Sequence, residues 1–160
     1  MAITVRQATL ADLDAFRFVG FSTCPVTYGP FAGPGFVVRQ LDRWWSPERL
    51  AGPLERGDCL IAGQGDTVLG VSEIGDYNGD LVMWKLYVLP GSQRQGVGTM
   101  LLEAVKRIAA ERDRVLVTEY VAGNTRAGEF YRSQGFEDFA APAGPLDSSW
   151  LRYPKQLSSA

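Results

Sequence analysis

Two glycines, Gly96 and Gly98, follow an apolar run that breaks at Pro90, in the stretch Leu86-Tyr87-Val88-Leu89-Pro90-Gly91-Ser92-Gln93-Arg94-Gln95-Gly96-Val97-Gly98-Thr99. A helix opening on near-adjacent glycines presents bare backbone N–H groups, and its dipole adds positive potential there. Such an end seats an anion, most often a phosphate. The neighbouring residues narrow the class. A P-loop needs Gly-x-x-x-x-Gly-Lys-Ser/Thr, but Thr99 and Met100 follow Gly98, so no lysine is placed for a terminal phosphate. A dinucleotide fingerprint needs a third glycine where Leu101 stands, although Glu119 supplies the acidic residue further on. It would also open a βαβαβ half, and the chain left after Gly98 has room for only one helix-strand-helix unit.

What fits is Gln/Arg-x-x-Gly-x-Gly/Ala preceded by Leu-x-Val-x-Pro. Downstream, the β-branched run from Val115 to Val121 leads into Asn124-x-x-Ala127-x-x-Phe130-Tyr131-x-x-x-Gly135-Phe136, and Val5-Arg6-Gln7-Ala8-Thr9-x-x-Asp12-Leu13 stands near the start. With these motifs in this order, the chain resembles the GNAT superfamily of acetyl-coenzyme A-dependent N-acetyltransferases. The segment from about Gly20 to Pro53 matches nothing in that pattern.

The resemblance implies a fold and a set of roles. The fold is α/β (α+β): a mixed, mostly antiparallel central sheet of six to seven strands, with helices on both faces and a splayed strand pair holding the coenzyme. Backbone groups of Leu86, Tyr87 and Val88 would line the pantetheine arm, the Val88 N–H polarising the thioester oxygen. Backbone N–H groups of Arg94, Gln95, Gly96, Val97, Gly98 and Thr99 would hold the pyrophosphate. Asn124 corresponds to an asparagine that helps hold the coenzyme, although an asparagine there also suits a helix N-cap. Tyr131 corresponds to the tyrosine that protonates the departing thiolate; its plainer alternative is an aromatic core residue beside Phe130.

The chain has no histidine, which excludes Ser-His-Asp and Cys-His catalysis and zinc sites built on imidazole. No metal is expected. Cys24 and Cys59 are far apart in sequence, one expected in a loop and one in a strand, and read as reduced structural thiols. A general base near neutral pH must then be a carboxylate with a raised pKa, a tyrosine, a depressed lysine or water. Glu119, five residues before Asn124, occupies the place of the base in relatives that acetylate protein N-termini. Glu73, on a Val/Ile-rich strand after Gly70, is the second candidate, since desolvation raises a carboxylate's pKa.

The elements that must position these residues follow from patterning. Ile3 to Ala8 reads as a strand, and Thr9 to Asp12 as a capping box opening a helix through about Val19. Phe21 to Val37 holds Pro25, Gly29, Pro30, Gly33, Pro34 and Gly35, which predicts a long functional loop. Arg39 to Leu54 reads as a second helix interrupted by Pro47 and Pro53. Cys59 to Ala62, Val68 to Ile74 and Leu81 to Leu89 form an antiparallel meander, with turns at Gly63 to Asp66 and Gly75 to Asp80. Leu101, Leu102, Val105, Ile108 and Ala109 share one face of a helix over Gly98 to Arg112. A strand over Val115 to Val121, a helix over Thr125 to Gln134 stopped by Gly135, and strands near Phe136 and Trp150 complete the order. The right-handed crossover rule makes Leu81 to Leu89 and Val115 to Val121 parallel neighbours.

At 160 residues and 46% hydrophobic, residues 1–160 are expected to form a single N-acetyltransferase domain. A net charge of −2 without a basic run disfavours a nucleic-acid partner. No stretch is apolar enough for a membrane span or a signal peptide, so cytoplasmic residence is the default. Oligomeric state is left open, a homodimer included. The expected reaction is acetyl transfer from acetyl-coenzyme A to a primary amine by direct attack on the thioester. Trp44 and Trp45 on one helix point about 100° apart, so at least one is expected at the cleft. With acidic Glu73, Asp76 and Glu119, such an aromatic wall suits a small-molecule amine with an apolar body. A protein N-terminus or lysine as acceptor, and a non-catalytic acyl-coenzyme A binding module, are the alternatives.

Overall fold

In the computed structural model, the structure describes residues 1–139 and 148–154. Seven strands form one sheet in the order β1-β2-β3-β4-β5-β7-β6: β1 (Thr4–Gln7), β2 (Cys59–Gln64), β3 (Thr67–Tyr77), β4 (Asp80–Val88), β5 (Leu116–Val121), β6 (Glu137–Phe139) and β7 (Ser148–Tyr153). All neighbours are antiparallel except β4 and β5, which run parallel as the crossover rule requires. The β3–β4 turn is tighter than the sequence suggested. Strand pairing continues to Tyr77↔Asp80, leaving only Asn78 (φ 51°) and Gly79 (φ 86°) between, the two left-handed residues of a type I′ hairpin.

Among the described residues four α-helices cover the sheet: α1 (Leu13–Trp44), α2 (Pro47–Arg56), α3 (Val97–Glu111) and α4 (Thr125–Ser133). On one face, Leu101, Leu102 and Val105 of α3 and Tyr131 of α4 pack with Leu81, Met83 and Leu116. On the other, Phe16, Val19 and Trp45 pack with Leu50 and Leu54 of α2 and with Val71. Two hydrophobic layers therefore enclose the sheet, α1 and α2 on one side, α3 and α4 on the other.

The expected loop over Phe21 to Val37 is instead helix. α1 runs through it in two pieces that meet at Gly33, whose φ of 84° and ψ of 170° interrupt the helix. Pro34 then stands at the start of the second piece, where its missing N–H costs little. Pro25 and Pro30 are exposed, while Val19, Thr23, Cys24 and Tyr28 share the buried side. Burial of that stripe outweighs two lost hydrogen bonds, so tertiary packing overrides local propensity. Cys24 accordingly lies on a helix rather than in a loop; it and Cys59 are buried free thiols, pushed by burial up to about 11 and about 12. The helix expected over Arg39 to Leu54 divides at Trp45–Ser46. Ser46 caps α2 by accepting from Arg49 N at 3.2 Å, and Pro47 opens it.

Candidate active site

The sheet comes apart at its centre. Strands β4 and β5 pair only at Leu81↔Leu116, Val82↔Val117 and Met83↔Thr118; both then continue with no rung between them. On the other side of β4 the register against β3 shifts between Ile74↔Met83 and Glu73↔Lys85, so Trp84 is an extra residue. A bulge bends and twists its strand. Here it also shifts the alternation, so that Trp84 and Lys85 both reach the cavity on the α1/α2 side.

Along the freed part of β4 the backbone is oriented by its other neighbour. Leu89 N donates to Leu69 O at 2.8 Å. Because successive peptide groups alternate sides, the Val88 and Leu86 N–H groups turn away from β3 toward the gap. The splay implied by the resemblance is thus present, with free donors along one rim.

The gap leads to the start of α3. Gly96 is its N-cap with φ 77°, a left-handed conformation that suits glycine, and Met100 N donates to Gly96 O at 3.0 Å. Val97 is buried and anchors the turn, while Arg94, Gln95 and Gly96 are exposed. The N–H groups of Val97, Gly98 and Thr99 precede the first intrahelical bond and need outside acceptors. Gln95 differs from its neighbours here, since its N–H donates to Ser92 O at 3.2 Å. A Cβ on Gly98 would meet only Phe130 and Val88, at 3.6 and 3.7 Å, so the site has room and no side chain fills it. Free N–H groups, an uncovered helix end and an unpaired strand rim fit a phosphate joined to an extended arm.

On the α3/α4 face, Asn124 caps α4 by accepting from Ala127 N at 3.4 Å. Tyr131, one turn from the end of α4, packs between Phe130 and Phe136 at ring distances of 5.7 and 5.6 Å. Its hydroxyl has Thr118 as hydrogen-bond partner, and burial pushes its pKa well above the ordinary phenol. Thr118 Oγ1 in turn donates to Met83 O at 2.9 Å. The phenol therefore stands at the vertex where β4 and β5 part.

On the opposite face the gap opens on a cavity of about 560 Å³. Its walls include Tyr28, Phe31 and Phe36 of α1, Trp44, Trp84 and Glu119, with Arg49 and Lys85 as cations. Tyr28 and Tyr87 hydroxyls lie 2.7 Å apart, and burial pushes Tyr28 up to about 12. Glu119 is raised above the usual carboxylate range by burial, partly offset by a hydrogen bond with Ser148. Trp45 also borders the cavity but is only 2% exposed, against Tyr87 at 5.1 Å and Phe16 at 6.2 Å, so Trp44 is the more open of the pair.

Of the three acids expected at the cleft, only Glu119 lines it. Asp76 pairs with Arg114 elsewhere. Glu73 is buried at 1% exposure with both oxygens held, Oε1 by Lys85 Nζ at 2.8 Å and Oε2 by Arg49 Nη2 at 3.1 Å. Sequence reasoning did not single out Tyr28, Trp84, Arg49 or Lys85. The first was hidden by the proline count around it, and the others depend on a bulge and a long-range ion triad that spacing does not reveal.

A family model for the acetyltransferase (GNAT) domain matches residues 55–138. No curated protein sequence matches the chain. Among solved structures, the PaiA N-acetyltransferase of Thermoplasma acidophilum in complex with coenzyme A has a TM-score of 0.87 at 18% identity, over 97% of this chain and 100% of that one. The ribosomal-protein-S18-alanine N-acetyltransferase of Escherichia coli gives 0.70 at 19% identity, over 99% of each chain. A GNAT-family acetyltransferase of Bacillus cereus gives 0.70 at 14%, over 98% of this chain and 100% of that one. At these identities the likeness is one of fold. The family match covers over half of the 160 residues and spans the bulged β4, the glycine-opened α3 and α4, so the chain belongs to the GNAT family of acetyltransferases, which use acetyl-coenzyme A.

Proposed function

We propose that the protein transfers an acetyl group from acetyl-coenzyme A to the primary amine of a small molecule. The observation that carries this reading is the gap itself, which joins a free phosphate-type seat on one face of the sheet to an aromatic-walled cavity of about 560 Å³ on the other. A cavity of that size is typical of sites for small molecules.

The coenzyme supplies an acetyl group activated as a thioester. N–H groups of Arg94, Gly96, Val97, Gly98 and Thr99 hold its pyrophosphate; Leu86 and Val88 hold its arm, and Asn124 fixes the adjoining turn. The Val88 N–H points at the thioester oxygen, a donor of the kind worth about 3 kcal/mol when negative charge develops there. Glu119 takes a proton from the amine nitrogen. As the N–C bond forms and the C–S bond breaks, Tyr131 gives its proton to sulfur and later regains one from solvent. Burial raises the phenol, but it disfavours a thiolate in the same gap too, so proton transfer stays close to balanced. Glu73, with both oxygens engaged by cations, organises the wall instead of meeting substrate.

Free-thiol release from acetyl-coenzyme A, measured with a panel of small amines and with unstructured peptides, tests the reading. Turnover of one or more small amines is expected. Quantitative acetylation of a peptide with no turnover anywhere in the small-molecule panel overturns it.

A further inference from the structure

The ion triad behind the cavity is out of balance. Two cations, Lys85 and Arg49, share the single carboxylate of Glu73, which is 1% exposed. Lys85 is itself only 5% exposed and lies 5.3 Å from the Trp45 ring. A net positive charge is thus left on the cavity wall, with Lys85 and Glu73 buried and Arg49 partly open, where a further anion would complete the triad. Burial lowers the Lys85 pKa; Glu73 opposes that shift, and the neighbouring Arg49 adds a smaller push in the same direction as burial.

Among the described residues, no acidic group is placed to supply that anion. Asp76 is held by Arg114, and Asp58 by Arg56 at 3.1 Å. Glu119 is the one acidic residue lining the cavity among the described residues; it has Ser148 as its hydrogen-bond partner, and its raised pKa has burial as the leading cause. Tyr28 and Tyr87 are bonded to each other and stay neutral.

Arg49 has the geometry to recognise a ligand. Its guanidinium gives one N–H to Glu73, lies 5.5 Å from the Trp44 ring, and is 31% exposed on the cavity side. A planar fork held at one corner and backed by an indole matches a carboxylate through its remaining N–H groups.

We infer that the acceptor amine also bears a carboxylate, which Arg49 and Lys85 bind, so that the substrate class is amino acids with apolar or aromatic side chains. This rests on the small-molecule reading above and sharpens it. One negative charge matches the one surplus positive charge, which favours a carboxylate over a phosphate dianion. The rings of Phe31, Phe36, Trp44 and Trp84 supply the apolar walls for the side chain.

Matched pairs differing only in the carboxylate test the inference: phenylalanine with phenethylamine, tyrosine with tyramine, tryptophan with tryptamine. In the unmodified protein kcat/KM is expected to favour the acid of each pair by about ten- to a hundredfold, the range of a charge-assisted hydrogen-bonded contact. Arg49→Met, which leaves Glu73 and Lys85 as a one-to-one pair, should bring that ratio toward unity, chiefly through KM. Arg49→Lys, which keeps the charge without the fork, should retain part of it. Binding gives a second readout: N-acetylphenylalanine should perturb tryptophan fluorescence at lower concentration than N-acetylphenethylamine, and Arg49→Met should remove the difference. Turnover of the amines as well as or better than the acids overturns this inference alone, as does a preference that survives in Arg49→Met. Absence of turnover with every member of the panel overturns it together with the reading on which it rests.

Discussion

Thr118 is the last residue of β5 that pairs with β4, and Glu119 is the first that does not. Alternation along the strand sends their side chains to opposite faces of the sheet. Thr118 meets the Tyr131 phenol on the α3/α4 side, while Glu119 lines the cavity on the α1/α2 side. Two consecutive residues thereby place one proton-carrying group on each side of the gap, as required if a proton leaves the acceptor on one side and reaches sulfur on the other.

The pH dependence of kcat/KM tests Glu119. A base works in its ionised form, and burial raises this carboxylate above its ordinary value. Activity should therefore climb as pH rises through the raised pKa, once the titration of the amine itself is allowed for. Glu119→Gln should remove that limb and lower the rate by about a hundredfold or more. A limb unchanged in the variant would assign the base elsewhere.

Tyr131→Phe keeps the ring between Phe130 and Phe136 and removes only the proton. We expect kcat to fall by roughly ten- to a thousandfold with coenzyme affinity nearly unchanged. Equal losses of rate and of coenzyme binding, measured by titration, would mark the residue as packing alone.

Much of this arrangement was legible in the sequence, and for identifiable reasons. Gly96, Gly98 and Asn124 act through backbone conformation and capping, which are local, so short motifs expose them. The meander and the parallel β4–β5 pair follow from alternation and crossover handedness, which are also local or topological. The course of Phe21 to Val37 was not legible, because three prolines and three glycines outweighed a buried stripe whose partners, such as Trp45 and Tyr87, lie far along the chain. Nor was the fate of Glu73. Its strand could be read, but its two cations come from a different strand and from α2, and only the folded chain brings them together.

Gly98→Val tests the phosphate seat. Its Cβ would make only ordinary contacts with Phe130 and Val88, so the fold should hold while the branched side chain obstructs the helix end. Acetyl-coenzyme A should no longer raise the melting temperature as it does for the unmodified protein. A thermal shift of the same size in the folded variant would refute the assignment.

Glu73→Gln should reveal a structural rather than a chemical loss. Removing one partner from a buried ion pair leaves the others uncompensated and costs about 3 kcal/mol. Urea denaturation should show that loss as a lower midpoint at similar slope. Should this variant, and not Glu119→Gln, abolish the ascending limb of the pH profile, then Glu73 is the base.

A small substitution far from the chemistry should also register. A Cβ at Gly20 would fall 2.3 Å from the Trp45 ring, so Gly20→Ala forces α1 or the indole to move, at a cost of about 1–3 kcal/mol. A reduced melting temperature together with a raised KM for the acceptor is expected, since Trp45 supports the cavity floor. A melting temperature equal to that of the unmodified protein would show that the indole yields freely.

The gap between β4 and β5 has a consequence for traffic. In the proposed reaction, with the phosphate seat at the head of α3 and the cavity beneath α1 and α2, donor and acceptor would approach the reacting atoms from opposite sides of a partition and withdraw by the same routes. Neither product stands in the other's doorway. A catalytic cycle laid out this way has no obligatory queue, and its steady-state signature is a family of intersecting lines in which each substrate competes only with the product that shares its entrance.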